Sequence, residues 1–125
     1  MFFYSQTTGM LSQTVGACNK HIGQGYSGAE PCGKNDPRMQ GIPDVGPIPR
    51  GFYTIGIPYD SRDHGPHVMR LLPDAENTMF GRSEFLMHGD SLERPGQASK
   101  GCIIMPPAVR EFVSASGDIR LQVTE

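Results

Sequence analysis

No run of apolar residues in this chain approaches the ~18–20 that a membrane-spanning helix needs. The opening stretch, Met1-Phe2-Phe3-Tyr4-Ser5-Gln6, holds neither a basic region nor a long apolar one. A Sec-type leader is therefore not expected, and action outside the cytoplasm would need another route. Clustered Lys and Arg are missing as well. A formal net charge of -2 and a pI near 6.0 provide no electrostatic basis for binding nucleic acid. The chain also lacks a G-x-y period, an internal repeat and a low-complexity tail, which excludes collagen-like and disordered classes.

What the chain has in quantity is turn formers: 16 Gly and 11 Pro in 125 residues, beside 37% hydrophobic and 19% charged residues. That mixture predicts many short strands joined by turns, and the length fits one domain, residues 1–125, around one core. A hairpin is expected over residues 2–15, with Thr7-Thr8-Gly9 as its turn. Residues 16–49 carry no sustained period and read as mostly loop. Strands are expected at 51–57, 67–72, 85–88, 102–105 and 119–123. One helix is expected after Pro106-Pro107, with Val109, Phe112 and Val113 on its inner face and Gly117 at its end. The fold class is mainly β, a sandwich or a partly closed barrel with one short helix.

Three cysteines divide by surroundings. Cys18 and Cys32 lie in the Gly-rich polar stretch, where a disulfide between them would contribute ~3 kcal/mol in an oxidising compartment. Two unpaired thiols are the other reading. Cys102 stands apart, between Gly101 and an apolar pair.

His88 ends one expected strand and Cys102 begins the next, so pairing of those strands would bring a base beside a thiol at one sheet edge. Gly101 leaves room for a substrate carbonyl, and the N–H groups of Gly101 and Cys102 are candidates for an oxyanion hole. Ser99 is a candidate hydrogen-bond partner for the loop or for His88. Asp90 is a candidate to orient His88 or hold a substrate amine, and Arg82 to fork a peptide carboxylate. A buried, inert Cys102 is the plainer alternative. His64 and His67 with Cys102 or His88 do not make a regular zinc set, and no metal or cofactor is expected.

The string Ser99-Lys100-Gly101-Cys102, preceded by His88, resembles the L,D-transpeptidase signature, and Gly46-Pro47-Ile48-Pro49-Arg50-Gly51-Phe52-Tyr53-Thr54-Ile55 resembles the strand that leads into the sheet of those enzymes. Tyr4-Ser5-Gln6-Thr7-Thr8-Gly9, Gly25-Tyr26-Ser27-Gly28, Lys34-Asn35-Asp36-Pro37, Phe80-Gly81-Arg82-Ser83 and Phe85-Leu86-Met87-His88-Gly89-Asp90 resemble one branch, the type VI secretion L,D-transpeptidase effectors. Lys100 and Ile104 stand where housekeeping members carry His and Arg.

The resemblance implies a cysteine enzyme acting on peptidoglycan stem tetrapeptides, with Cys102 as nucleophile and His88 as base. Arg82, Asp90 and Tyr53 would lie on the substrate side. It also implies delivery without a Sec signal into a competitor's periplasm, secretion-system components as partners and an immunity protein in the producing cell. Rival readings are a wall-binding module of the same fold and a thiol peptidase acting on protein.

Overall fold

The computed structural model describes residues 1–125. Phe2–Ser5 (β1) and Met10–Val15 (β2) pair as the expected hairpin. In β1, Phe2 and Tyr4 are fully buried while Phe3 and Ser5 are half-exposed, the alternation that a strand with one face on a core must show. The chain continues through Cys18–Gln24 (β3), Tyr26–Ser27 (β4), Gly51–Ile55 (β5), Tyr59–Ser61 (β6), Gly65–Pro73 (β7), Leu86–His88 (β8) and Ile103–Ile104 (β9). A helix over Pro107–Ala115 (α1) and the last strand, Arg120–Thr124 (β10), complete it.

The sheet order is β3-β2-β1-β10-β5-β7-β8-β9-β4, with β6 added to β7. Its two ends, β3 and β4, are successive parts of one segment separated only by Gly25, so the sheet curls until its margins meet there. Glycine is required at that crossing, because a Cβ on Gly25 would run into the Ile104 carbonyl oxygen. The result is mainly β with one short helix, as expected. Sixteen buried residues fill the inside, among them Tyr4, Leu11, Tyr53, Met69, Leu71, Met87, Ile103 and Leu121. No helix is long and apolar enough to cross a membrane.

Several expectations need correction. Residues 16–49 are mostly loop, as expected, but within them β3 forms an unexpected seven-residue edge strand on β2. Its side chains are nearly all exposed, so no apolar alternation marked it. The Cys18–Cys32 disulfide does not form, and both thiols are free and exposed. Cys18 sits at the far end of β3, a strand length away from Gly25, whereas Cys32 lies in the turn held by the Gly33 N–H to Ala29 carbonyl bond. In α1, Val109 and Val113 enter the core but Phe112 does not; it is exposed and carries Lys20 over its ring.

Candidate active site

The segment Gly46-Pro47-Ile48-Pro49 builds the foundation of the site. Two prolines remove backbone donors and break any ladder, so the buried carbonyls of this segment need partners from side chains. Each has one. Arg82 donates to the carbonyls of Gly46 and Pro47 at 3.0 and 2.8 Å, Gln6 Nε2 to Ile48 at 2.8 Å, and the Tyr53 hydroxyl to Pro49 at 2.7 Å.

Arg82 continues from there to the nucleophile's loop. Its remaining terminal N–H groups donate to the carbonyls of Gln40 (2.6 Å) and Lys100 (3.1 Å). Gly101 packs directly on it: φ is +141°, and a Cβ would come within 2.6 Å of Arg82 Nη2 and 2.8 Å of the Phe85 ring. The glycine thus makes room for Arg82 and Phe85 behind the loop, rather than for the substrate.

Ser99 ties the same loop from inside. Its buried hydroxyl donates to the Cys102 carbonyl at 2.6 Å and accepts from the N–H groups of Gly28 (2.9 Å) and Gly101 (3.1 Å). The Gly101 N–H is therefore committed and is no oxyanion donor. Ser27 completes the cradle, donating to the Gly101 carbonyl and accepting from the Ile48 N–H.

Strand register places β8, which ends on His88, beside β9, which begins just after Cys102. β8 and β9 run parallel with Met87 opposite Ile103 and His88 opposite Ile104. Met87 and Ile103 face the core, so Leu86, His88 and Ile104 share the other face, and Cys102 lies in the bend that leads into β9. Cys102 is the last residue before β9, so it sits one step ahead of Ile103, which pairs with Met87, the residue that precedes His88 in β8.

The electrostatics are those of a dry site. Burial pushes the Cys102 thiol pKa up, partly offset by the Leu86 N–H and the Arg82 charge. Burial pushes the His88 pKa down; His64 and Arg110 add to this, against the Gly89 carbonyl and Asp90. Both shifts favour the uncharged pair. His88 Nδ1 lies 2.8 Å from the Gly89 carbonyl oxygen. A carbonyl only accepts, so Nδ1 carries the proton and Nε2 is left as the basic nitrogen.

Asp90 does not orient His88 by hydrogen bonding. Its carboxylate accepts from the Tyr26 hydroxyl and from the N–H groups of Ser91 and Gly96. It closes the loop between His88 and Cys102, which Lys34 also grips through the Gly96 carbonyl. Tyr53 is fully buried in the core and cannot touch a substrate. Arg82 has all four terminal N–H groups on carbonyls, so its fork is not free for a carboxylate.

Two residues were not foreseen as parts of the site. His64, on the turn after β6, sets its ring 4.7 Å from that of His88. Arg110 donates to the carbonyls of Met105, Pro66 and His67 and lies behind Gly89, fastening the end of the base's strand. Their sequence surroundings carry no signal, because each acts through contacts across the fold. A cavity of about 770 Å³ opens over Cys102, walled by His64, Tyr59, Arg70, Leu86 and Lys100 among others.

Residues 21–122 match the family model described as the Tlde1 domain. No curated protein matches the chain.

Proposed function

The chain belongs to the Tlde1 domain family of type VI secretion L,D-transpeptidase effectors, and on that premise we propose that it attacks peptidoglycan stem tetrapeptides through a Cys102 thioester. The observation that supports this reading is the parallel β8–β9 pairing, in which β8 ends on His88 and β9 begins just after Cys102, with the His88 Nδ1 proton held by Gly89.

In the proposed reaction the Cys102 sulfur adds to the carbonyl carbon at the L-centre of the third, diamino acid residue, while His88 Nε2 takes the thiol proton. The tetrahedral oxyanion faces the Cys102 N–H, for which no acceptor exists within the protein. Collapse breaks the carbon–nitrogen bond, and His88 returns the proton to the departing amine of D-Ala. Water then resolves the thioester by the reverse steps, giving a tripeptide, or a D-amino acid or another stem's amine does so, giving exchange or a cross-link.

Action in a target's periplasm and protection of the producer by an immunity protein follow from the effector reading and belong to the same proposal. The test is incubation of the chain with purified tetrapeptide muropeptides and mass analysis of products. Tripeptide, or exchanged tetrapeptide when a D-amino acid is added, is expected with the native chain and not with Cys102→Ala or His88→Ala. Unchanged muropeptides with all three proteins would refute the reading.

A further inference from the structure

The cavity over Cys102 has a cation with no assigned work. Arg70 lies on β7 directly opposite Leu86 of β8, and the Leu86 N–H bonds the Cys102 sulfur. Arg70, Leu86 and Cys102 thus stand in a row, and all three line the cavity. Arg70 is exposed, unlike Arg82 and Arg110, which are buried. Its guanidinium makes no ion pair and no side-chain hydrogen bond: the chain's salt bridges use the N-terminus, Lys34, Arg38, Arg50 and Arg120. Its one recorded partner is the Tyr59 ring, 5.2 Å away. Stacking of this kind holds the planar fork without using its N–H groups.

From this row we infer that Arg70 reads the α-carboxylate of the amino acid attached to the carbonyl that Cys102 attacks. The inference rests on the thioester reading above and adds the residue that sets its specificity. Two strand spacings separate Arg70 from the Cys102 side, ~10 Å between backbones. Both open on the same cavity, so an amino acid whose acylated neighbour carbonyl lies at Cys102 can present its free carboxylate to the fork. The site is thereby confined to the last peptide bond. The same contact selects the resolving amine, because an incoming D-amino acid must place its own carboxylate where the leaving one had been.

The experiment compares a tetrapeptide muropeptide ending in D-Ala with the same compound ending in D-alaninamide. It uses the native chain, Arg70→Gln, Arg70→Lys and Lys100→Gln. Native protein is expected to favour the acid over the amide by about 10–100-fold in kcat/KM, the scale of one charge-assisted hydrogen-bonded contact. Arg70→Gln is expected to bring the acid-to-amide ratio of kcat/KM close to one, and Arg70→Lys to recover part of the preference. Exchange should follow the same pattern with D-alanine and D-alaninamide as acceptors. Equal native rates on acid and amide, an acid preference that survives Arg70→Gln, or a preference abolished by Lys100→Gln instead would overturn the assignment and leave the thioester chemistry standing. Cleavage of neither compound by the native chain would remove both.

Discussion

Replacing Arg82 by Met separates two roles for that residue, a clamp on the backbone and a receiver of substrate. The change keeps much of the apolar volume and removes every donor. Four carbonyls, of Gln40, Gly46, Pro47 and Lys100, then lose a charge-assisted bond in a site where Arg82 is only 8% exposed. At ~1.5–3 kcal/mol each the gross loss is roughly 6–12 kcal/mol. Release of the guanidinium's own desolvation penalty, several kcal/mol, offsets part of this, for a net cost of about 3–5 kcal/mol. Against a total stability of ~5–15 kcal/mol such a loss is large. Urea unfolding followed by far-UV circular dichroism measures it, the chain having no tryptophan. Arg82→Lys, with three donors for four acceptors, should fall between Met and the native protein. A midpoint unmoved by Arg82→Met, together with a raised KM and unchanged kcat, would refute the clamp and restore Arg82 as a carboxylate ligand.

Gly101→Ala should fold poorly or lose at least tenfold in kcat, because its Cβ meets Arg82 and Phe85 at a φ that L side chains rarely adopt; thermal melting and turnover on tetrapeptide check this. Tyr26→Phe removes the hydroxyl that donates to Asp90 and accepts from the Ala98 N–H, so the loop joining base to nucleophile should exchange its amides faster while the core strands stay protected. In pH profiles, His88 carries a lowered pKa, so kcat/KM should hold below the ordinary imidazole value near 6.5 and fall only at more acid pH. The same depression means that whatever stability His88 contributes is present above that value and lost as pH drops through its folded pKa. An acid limb centred above pH 6.5 would contradict the burial argument.

Legibility in the sequence followed the range of the interaction involved. The hairpin of residues 2–15, β5, β7, β10 and the start of α1 were readable because local alternation or a Pro-Pro start decides them. The edge strand β3 was not, since its polar side chains pair through the backbone and bury nothing. Cys102 and His88 were nominated by residue type and by lying at strand ends. Arg82, Tyr53 and Asp90 were nominated as substrate contacts, and the structure gives the polar groups of each partners within the chain. Two of their partners, Gly46 for Arg82 and Tyr26 for Asp90, lie far along the chain, and Pro49, four residues from Tyr53, accepts only because the Pro-Ile-Pro segment leaves its carbonyl unpaired. A motif shows which residues cluster. It does not distinguish a side chain that faces a ligand from one that satisfies backbone left unpaired by Gly46-Pro47-Ile48-Pro49.

Burial acts on the proposed pair in opposite directions and to one end. It raises the proton affinity of Cys102 and lowers that of His88, so both directions favour a neutral thiol and a neutral imidazole over an ion pair. A free thiolate is the species that oxidants and stray electrophiles attack, and the resting site holds little of it. The cost appears in the chemical step, since proton transfer to His88 Nε2 must accompany attack. The reaction then depends on how well the substrate is placed, because a neutral nucleophile gains its charge only as the carbon–sulfur bond forms. Placement is what the surrounding structure supplies: Ser99, Ser27 and Arg82 fix the nucleophile's loop, Gly89 fixes the imidazole, and Arg70 waits in the same strand row for a carboxylate. On these terms an alkylating probe should label Cys102 slowly at neutral pH and rapidly only above the ordinary thiol range, while a tetrapeptide acylates it at neutral pH. Fast labelling at pH 7 that disappears in His88→Ala would establish a resting ion pair and defeat the neutral-pair account.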